Sequence, residues 1–132
     1  MTSPPGRIVW LAVLAGFFVD NLISLIITLI AQRLDPQLGQ GLNFASTVGI
    51  VTTALLTLST GFGGWLAGRL AKHEYVLHGA LVGGISLLTL LFDALFVISP
   101  SLFSIVHAIV LVGVGALGGL LSRWIPSSQK QL

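Results

Sequence analysis

Long apolar stretches alternate with short polar segments along the 132 residues of the chain. Four of these stretches are long enough to cross a bilayer as helices, which takes roughly 20 residues each. They cover residues 8–31, 44–70, 75–98 and 102–124. Because the connections are short, consecutive helices should be antiparallel neighbours. The pattern predicts an all-α membrane protein, with residues 1–132 forming a single domain of four antiparallel transmembrane helices.

The composition strengthens this prediction. Hydrophobic residues make up 55% of the chain and charged residues only 8%, whereas globular domains carry about 25% charged residues. Such a chain cannot cover its surface with polar groups, so the lipid bilayer is its expected partner. There is no basic run for nucleic acid, no cysteine, no nucleophile–base pair and no metal-spaced histidine set. We therefore expect neither catalysis, nor a metal site, nor nucleic-acid binding.

The positions of Lys and Arg predict the orientation, because cytoplasmic loops carry an excess of these residues. One end of the predicted bundle has five of them and the other end has only Arg33. The five are Arg7, Arg69, Lys72, Arg123 and Lys130. Each helix also has one amphipathic ring near that same end, where it would anchor at the membrane interface. These rings are Trp10, Trp65, Tyr75 and Trp124. Both termini are therefore expected in the cytoplasm.

Glycine pairs spaced four residues apart occur on three of the helices. They are Gly64 and Gly68, Gly79 and Gly83, and Gly115 and Gly119. This spacing lets helix backbones approach closely in a membrane. One interpretation is packing within a single chain, and the other is a surface that docks a second copy or a larger complex. Helices 2, 3 and 4 should meet near the cytoplasm, whereas helix 1, which has only Gly16, should be attached more loosely.

Asp20 and Asn21 interrupt the first apolar stretch at its midpoint. Hydrocarbon offers an ionisable group no partner, so Asp20 needs a neighbouring helix or water. Counting inward from the predicted helix ends places Asp20 level with the threonines of helix 2. The hydroxyls of Thr52, Thr53 and Thr57 are therefore expected to donate to its carboxylate. Asp20 is either a hydrogen-bonded packing residue or a site for a proton, a cation or a ligand.

Asp93 and His107 lie seven residues before and after Pro100, so the hairpin between helices 3 and 4 should bring them to one depth. A carboxylate and an imidazole can share a proton, either as a structural pair or as a relay. No cofactor is expected, but His107 or His78 offers an alternative as axial ligand of a haem or chlorophyll-type ring. His73 is expected to be solvated in its loop.

Two segments of helices 2 and 3 resemble a known pattern. Residues 63–71 read GGWLAGRLA and residues 78–83 read HGALVG. Together they resemble the central signature of a family of small uncharacterised four-helix membrane proteins of bacteria and archaea. The resemblance implies a multi-pass protein of the prokaryotic cytoplasmic (inner) membrane with the topology given above, and it implies no activity.

Two functions follow from these features. The first is a non-enzymatic helix-packing or accessory subunit, either a homo-oligomer or part of a larger membrane complex. The alternative is a small proton-coupled transporter or channel in which Asp20 carries the proton, with Asp93 and His107 as an outer relay. Small multidrug transporters are similar in plan, with four short helices and an acid on the first. Their acid is a glutamate among aromatic residues, whereas Asp20 lies among aliphatic ones.

Overall fold

A computed structural model describes residues 7–40, 46–96 and 102–124, without the side chains of 39, 40, 90, 91, 93–96 and 102–104. Four long helices make up this part of the chain, as the sequence predicts. They are α1 (Trp10–Leu34), α2 (Thr47–Ala71), α3 (Tyr75–Phe96) and α4 (Leu102–Ser122). A short 3-10 helix, Pro36–Gln40, follows α1. The prediction of an all-α fold with four helices is confirmed.

The helices have the length and surface of membrane spans. The helices Trp10–Leu34 and Thr47–Ala71, and the segment Ile105–Ser122 of α4, are long and apolar enough to cross a bilayer. The 22 residues of α3 correspond to about 33 Å at 1.5 Å per residue, which also matches the hydrocarbon thickness. Large apolar side chains point outward along the bundle, among them Leu11, which is 78% exposed. An apolar surface of this extent requires lipid around it.

The helices are arranged around α2, which packs against the other three. Helix α4 packs against α2 and α3, and α1 packs against α2 and less extensively against α3. Helices α1 and α4 therefore lie on opposite flanks of the bundle. We call the end where α1 and α3 begin the base, and the opposite end the top. The four amphipathic rings lie within two turns of the helix ends at the base: Trp10, Trp65, Tyr75 and Trp124.

Near the base, the helix backbones are in direct contact at glycines. A Cβ atom added at Gly79 would overlap the carbonyl oxygen of Gly115 and lie 2.8 Å from the backbone nitrogen of Gly119. The other glycines of the three pairs also meet neighbouring helices. Gly64 faces the backbone of Gly115, Gly68 faces Gly119 and Ser122, and Gly83 faces the backbone of Leu111 and Val112. Within this one chain, all six glycines are therefore used at helix crossings.

Helix α1 packs less extensively in the bundle than the other three helices do, in line with the expectation of a looser attachment, but it makes one close crossing with α2. A Cβ atom added at Gly63 would lie 2.6 Å from the carbonyl oxygen of Gly16. Around this crossing, the side chains of Val13, Ala67 and Val82 form a fully buried cluster. A single glycine on α1 is sufficient for this close approach of the two backbones, because it lies opposite another glycine on α2.

Two histidines, His73 before α3 and His78 in its first turn, hold the start of α1. His78 is fully buried, and its Nε2 accepts a hydrogen bond from the backbone N–H of Val9 at 2.9 Å. Its Nδ1 therefore carries the proton and donates to the carbonyl oxygen of Glu74 at 2.9 Å. The bond from Val9 satisfies one of the backbone donors that the start of a helix leaves unpaired.

His73 is also engaged, so the expectation that it is simply solvated is wrong. Its Nδ1 lies 2.7 Å from the carbonyl oxygen of Ala71, and its Nε2 lies 2.7 Å from that of Arg7. The ring packs edge-on against His78, with the ring centroids 5.4 Å apart. The loop brings it there by a sharp turn, in which Lys72 and Glu74 have φ angles of 61° and 45°. The beginning of α1 is thus fixed at the base by side chains from another part of the chain.

Candidate functional site

The buried carboxylate of Asp20 is the centre of the polar groups within the bundle. Asp20 is 4% exposed. Ser59 on α2 donates to its Oδ1 at 2.6 Å, and the neighbouring Thr60 donates to its Oδ2 at 3.1 Å. Ser24 on α1 and Ser86 on α3 lie farther away, at 3.4 Å and 3.5 Å. Hydroxyls from three helices therefore surround one acid.

Each of these hydroxyls also has a second oxygen partner. Ser59 and Thr60 both reach the carbonyl oxygen of Leu56, at 2.9 Å and 3.4 Å. Ser86 reaches the carbonyl oxygen of Val82 at 3.3 Å, and the hydroxyls of Ser24 and Ser59 are 2.8 Å apart. A hydroxyl has one proton and can rotate it between such acceptors. These groups can therefore give hydrogen to a carboxylate or accept one from a carboxylic acid.

The expected partners of Asp20 on α2 were wrong by about one helical turn. The hydroxyl of Thr53 donates to the carbonyl oxygen of Gly49 at 2.9 Å, and that of Thr57 donates to the carbonyl oxygen of Thr53 at 2.8 Å. Both hydroxyls are thus satisfied within their own helix. The register between α1 and α2 instead brings Ser59 and Thr60 level with Asp20, because α1 is longer and α2 begins later than the apolar pattern indicates.

A cavity of about 380 Å³ adjoins Asp20 on the top side of the glycine crossings. Its polar wall is formed by the following residues: Asp20, Asn21, Ser24, Thr28, Thr60, Ser86, Thr89 and His107. The remaining wall is apolar and consists of Phe17, Leu56 and Leu111. The cavity is therefore lined from all four helices, and His107 on α4 shares it with Asp20 on α1. Asn21 is exposed, so the cavity reaches the surface of the bundle there.

The other predicted site residues have different outcomes. The side-chain amide of Asn21 donates to the carbonyl oxygen of Phe17 at 2.8 Å, within its own helix. The side chain of Asp93 lies outside the described residues, so its pairing with His107 stays a prediction. Both ring nitrogens of His78 are engaged in hydrogen bonds, which leaves none for the iron or magnesium of a pigment.

Sequence reasoning did not identify Ser59, Thr60 or Ser86 as partners of Asp20. The signal that would have found them is the pair Gly16 and Gly63. Two facing glycines mark where the antiparallel helices α1 and α2 cross. One turn closer to the top, α1 has Asp20 and α2 has Ser59, so the two side chains should lie at the same level.

Fold and cavity together define this chain as a small helical membrane protein with a polar site inside its membrane span. Comparisons with protein families, with curated proteins and with solved structures found no match. The assignment of this chain to the class of small helical membrane proteins therefore rests on the arrangement of its own residues.

Proposed function

We propose that this protein is a small proton-coupled transporter, without enzymatic activity, in which Asp20 binds and releases the transported proton. The observation that carries the proposal is the environment of that carboxylate. It is buried at membrane depth, it lines a cavity, and it is surrounded by hydroxyls that have alternative acceptors. Acids within membrane spans are rare because their burial is costly. Those that occur usually mark proton or ion pathways.

The alternative acceptors allow both charge states of Asp20. When the carboxylate is ionised, Ser59 and Thr60 turn their protons toward it. When it is protonated, one of these hydroxyls turns its own proton to the carbonyl oxygen of Leu56 and accepts from the acid. Each buried polar atom of this group keeps a hydrogen-bond partner in either state, which lowers the energetic cost of exchanging the proton.

The cavity extends from Asp20 toward the top, where Thr28, Thr89 and His107 line it, and this is the proposed route of the proton. Its volume of about 380 Å³ corresponds to roughly a dozen water molecules at about 30 Å³ each. On the base side the glycine crossings bring α2, α3 and α4 into contact. Passage to the base therefore requires a second conformation in which these helices separate, as in alternating access. His107, on the far wall of the cavity, is the group proposed to relay the proton.

The test is proton flux into liposomes that contain the purified protein and a pH-sensitive dye. An imposed pH gradient should collapse faster with the wild type than in empty liposomes, and Asp20→Asn should abolish the difference. Thr52→Val is the matched control, because the hydroxyl of Thr52 bonds within its own helix and is not part of the cavity wall. If Asp20→Asn conducts protons as the wild type does, the proposal is wrong.

The proposal includes the orientation, with both termini in the cytoplasm of a prokaryotic cell and the protein in its inner membrane. The excess of Lys and Arg at the base supports this placement. Since the chain has no cysteine, single cysteines can be labelled without background. A membrane-impermeant maleimide added to intact cells should label Gln37→Cys at the top and should not label Lys72→Cys at the base. The opposite result would reverse the orientation.

The helix-packing subunit is the second candidate function. The six paired glycines are used within one chain, which removes part of the surface that this function needs. Gly84 and Gly113 support it, because an added Cβ atom would meet nothing within 4 Å at either position. A partner helix could therefore approach the backbone at these points. Gly84→Leu with Gly113→Leu should then release co-purified partners or dissociate the oligomer, and unchanged assembly would exclude this use of the two glycines.

A further inference from the structure

We infer that the cavity beside Asp20 binds a small primary alkylammonium ion, which exchanges with the proton. This inference rests on the proposed function and names the class of solute that the same site takes. It follows from three properties of the cavity: the sign of its charge, the mixed polar and apolar composition of its wall, and its size.

The charge of the cavity favours a cation. Asp20 is the only carboxylate among the described residues that line it, and these residues include neither Lys nor Arg. The oxygen atoms of the serine and threonine side chains present additional lone pairs toward the same space. In a region of low dielectric constant, a buried carboxylate attracts a cation strongly and repels an anion.

The mixed composition of the wall favours an organic cation over a metal ion. The cavity-lining hydroxyls of Ser24, Thr60 and Ser86 lie 3.4, 3.1 and 3.5 Å from the carboxylate oxygens of Asp20. The apolar part of the wall is formed by Phe17, Leu56 and Leu111. A hard metal ion in contact with Asp20 needs oxygen ligands on every side. An alkylammonium ion instead has one polar end and one apolar end, which matches a wall of this kind.

The hydrogen-bonding capacity of the site fits a primary ammonium group. Such a group has three N–H donors and no acceptor. Asp20 offers two carboxylate oxygens, and the hydroxyls of Thr60 and Ser86 can turn their own protons to the backbone carbonyls of Leu56 and Val82. Their lone pairs then face the ammonium group. A quaternary ammonium ion has the same charge and no N–H donor, so it should bind much more weakly.

The size of the cavity limits the solute. Its volume of about 380 Å³ is at the lower end of the roughly 300–1,000 Å³ found for small-molecule sites. The solute is therefore a small molecule of at most about a dozen non-hydrogen atoms, at about 30 Å³ each. Because the ammonium ion and the proton both neutralise Asp20, each should displace the other, which is the requirement for exchange.

The experiment is isothermal titration of the purified full chain in mild detergent with propylammonium, tetramethylammonium and sodium, all as chlorides. We expect propylammonium to bind at least about tenfold more tightly than the other two, since charge-assisted hydrogen bonds distinguish it. Asp20→Asn should abolish the binding and Ser86→Ala should weaken it. Thr52→Val should bind as the wild type does, and circular dichroism should show all variants to be folded.

The outcomes separate this inference from the proposed function. Equal or tighter binding of sodium or tetramethylammonium overturns the assignment of a primary ammonium ion, and so does binding that survives Asp20→Asn. Absence of any cation binding, together with proton flux that depends on Asp20, overturns this inference and leaves the proposed function standing. Absence of both binding and flux overturns both.

Discussion

The base and the middle of the bundle solve the problem of helix association in a membrane in opposite ways. At the base, α2, α3 and α4 meet backbone to backbone, because the side chains that would separate them are absent. At the level of Asp20, hydroxyls and a carboxylate join α1, α2 and α3 beside a cavity. Backbone-to-backbone packing leaves few side chains at these crossings of the base that could rearrange, whereas rotatable hydrogen bonds leave the middle able to change its charge.

The largest effect is expected from a methyl group added at the base. Gly79→Ala places a Cβ atom against the backbone of Gly115 and Gly119, which has no flexible end that can move away. We expect a loss of about 3 kcal/mol in unfolding free energy, the upper end for an overpacked core. Unfolding in mixed detergent micelles, followed by circular dichroism, measures it.

Gly84→Ala is the matched control on the same helix. Nothing lies within 4 Å of a Cβ atom added at Gly84, and alanine is a better helix former than glycine by about 1 kcal/mol. This variant should be as stable as the wild type or slightly more stable. Equal losses for Gly79→Ala and Gly84→Ala would contradict the account of the base as a backbone contact.

How far the sequence predicts this molecule depends on the kind of information that each feature needs. The helices were predictable because apolar stretches of bilayer length have few alternatives. The partners of Asp20 were not, because they depend on a register to which both helix ends contribute. Helix α1 ends at Leu34, three residues after Ala31. Helix α2 begins at Thr47, three residues after Phe44. The two differences act in the same direction, and they move the partner of Asp20 from the level of Thr53 and Thr57 to that of Ser59 and Thr60, about one turn.

Both of those helix ends have local causes. Gln32 and Arg33 are polar but are good helix formers, so α1 continues through them until Asp35, which precedes a proline and is extended. Helix α2 starts later because Ser46 caps it, and its hydroxyl accepts from the backbone N–H of Gly49 at 3.0 Å. A hydropathy pattern shows neither the helix propensity of polar residues nor the capping of a helix by a serine. The histidine contacts at the base were also unpredictable, since they join residues 66 and 69 positions apart.

The second largest effect is expected at the hydroxyls of the middle. Ser59→Ala removes the shortest hydrogen bond to Asp20, at 2.6 Å, and the contact with Ser24. Because that bond goes to a buried acid, we expect a loss of about 2 kcal/mol. Thr52→Val, whose hydroxyl bonds only within α2, should cost less than about 0.5 kcal/mol. The same unfolding assay measures both losses. If Ser59→Ala and Thr52→Val lower the unfolding free energy equally, the hydroxyls around Asp20 do not hold the helices together.

A smaller effect is expected where the base holds the start of α1. His78→Phe keeps a ring of similar shape but removes the acceptor for the backbone N–H of Val9. We expect a loss of about 1 kcal/mol, the value of one hydrogen bond, confined to the first turn of α1. Hydrogen exchange read by mass spectrometry should become faster in peptides that contain Val9 and stay unchanged around Asp20. Faster exchange throughout α1 would instead make the histidine contact part of the global core.

The smallest effect is expected at the aromatic edge of the base. The guanidinium carbon of Arg69 lies 5.3 Å from the centroid of the Trp65 ring, and Phe62 stacks on the same ring with centroids 5.4 Å apart. A cation over an aromatic face contributes about 0.5–1 kcal/mol at a partly exposed site. Arg69→Gln should therefore cost about 0.5 kcal/mol more than Lys72→Gln, which removes the same charge from an exposed position without a ring beneath it. A double-mutant cycle with Trp65→Leu isolates this contribution, and a coupling of zero would leave the base dependent on its glycine crossings and histidine contacts.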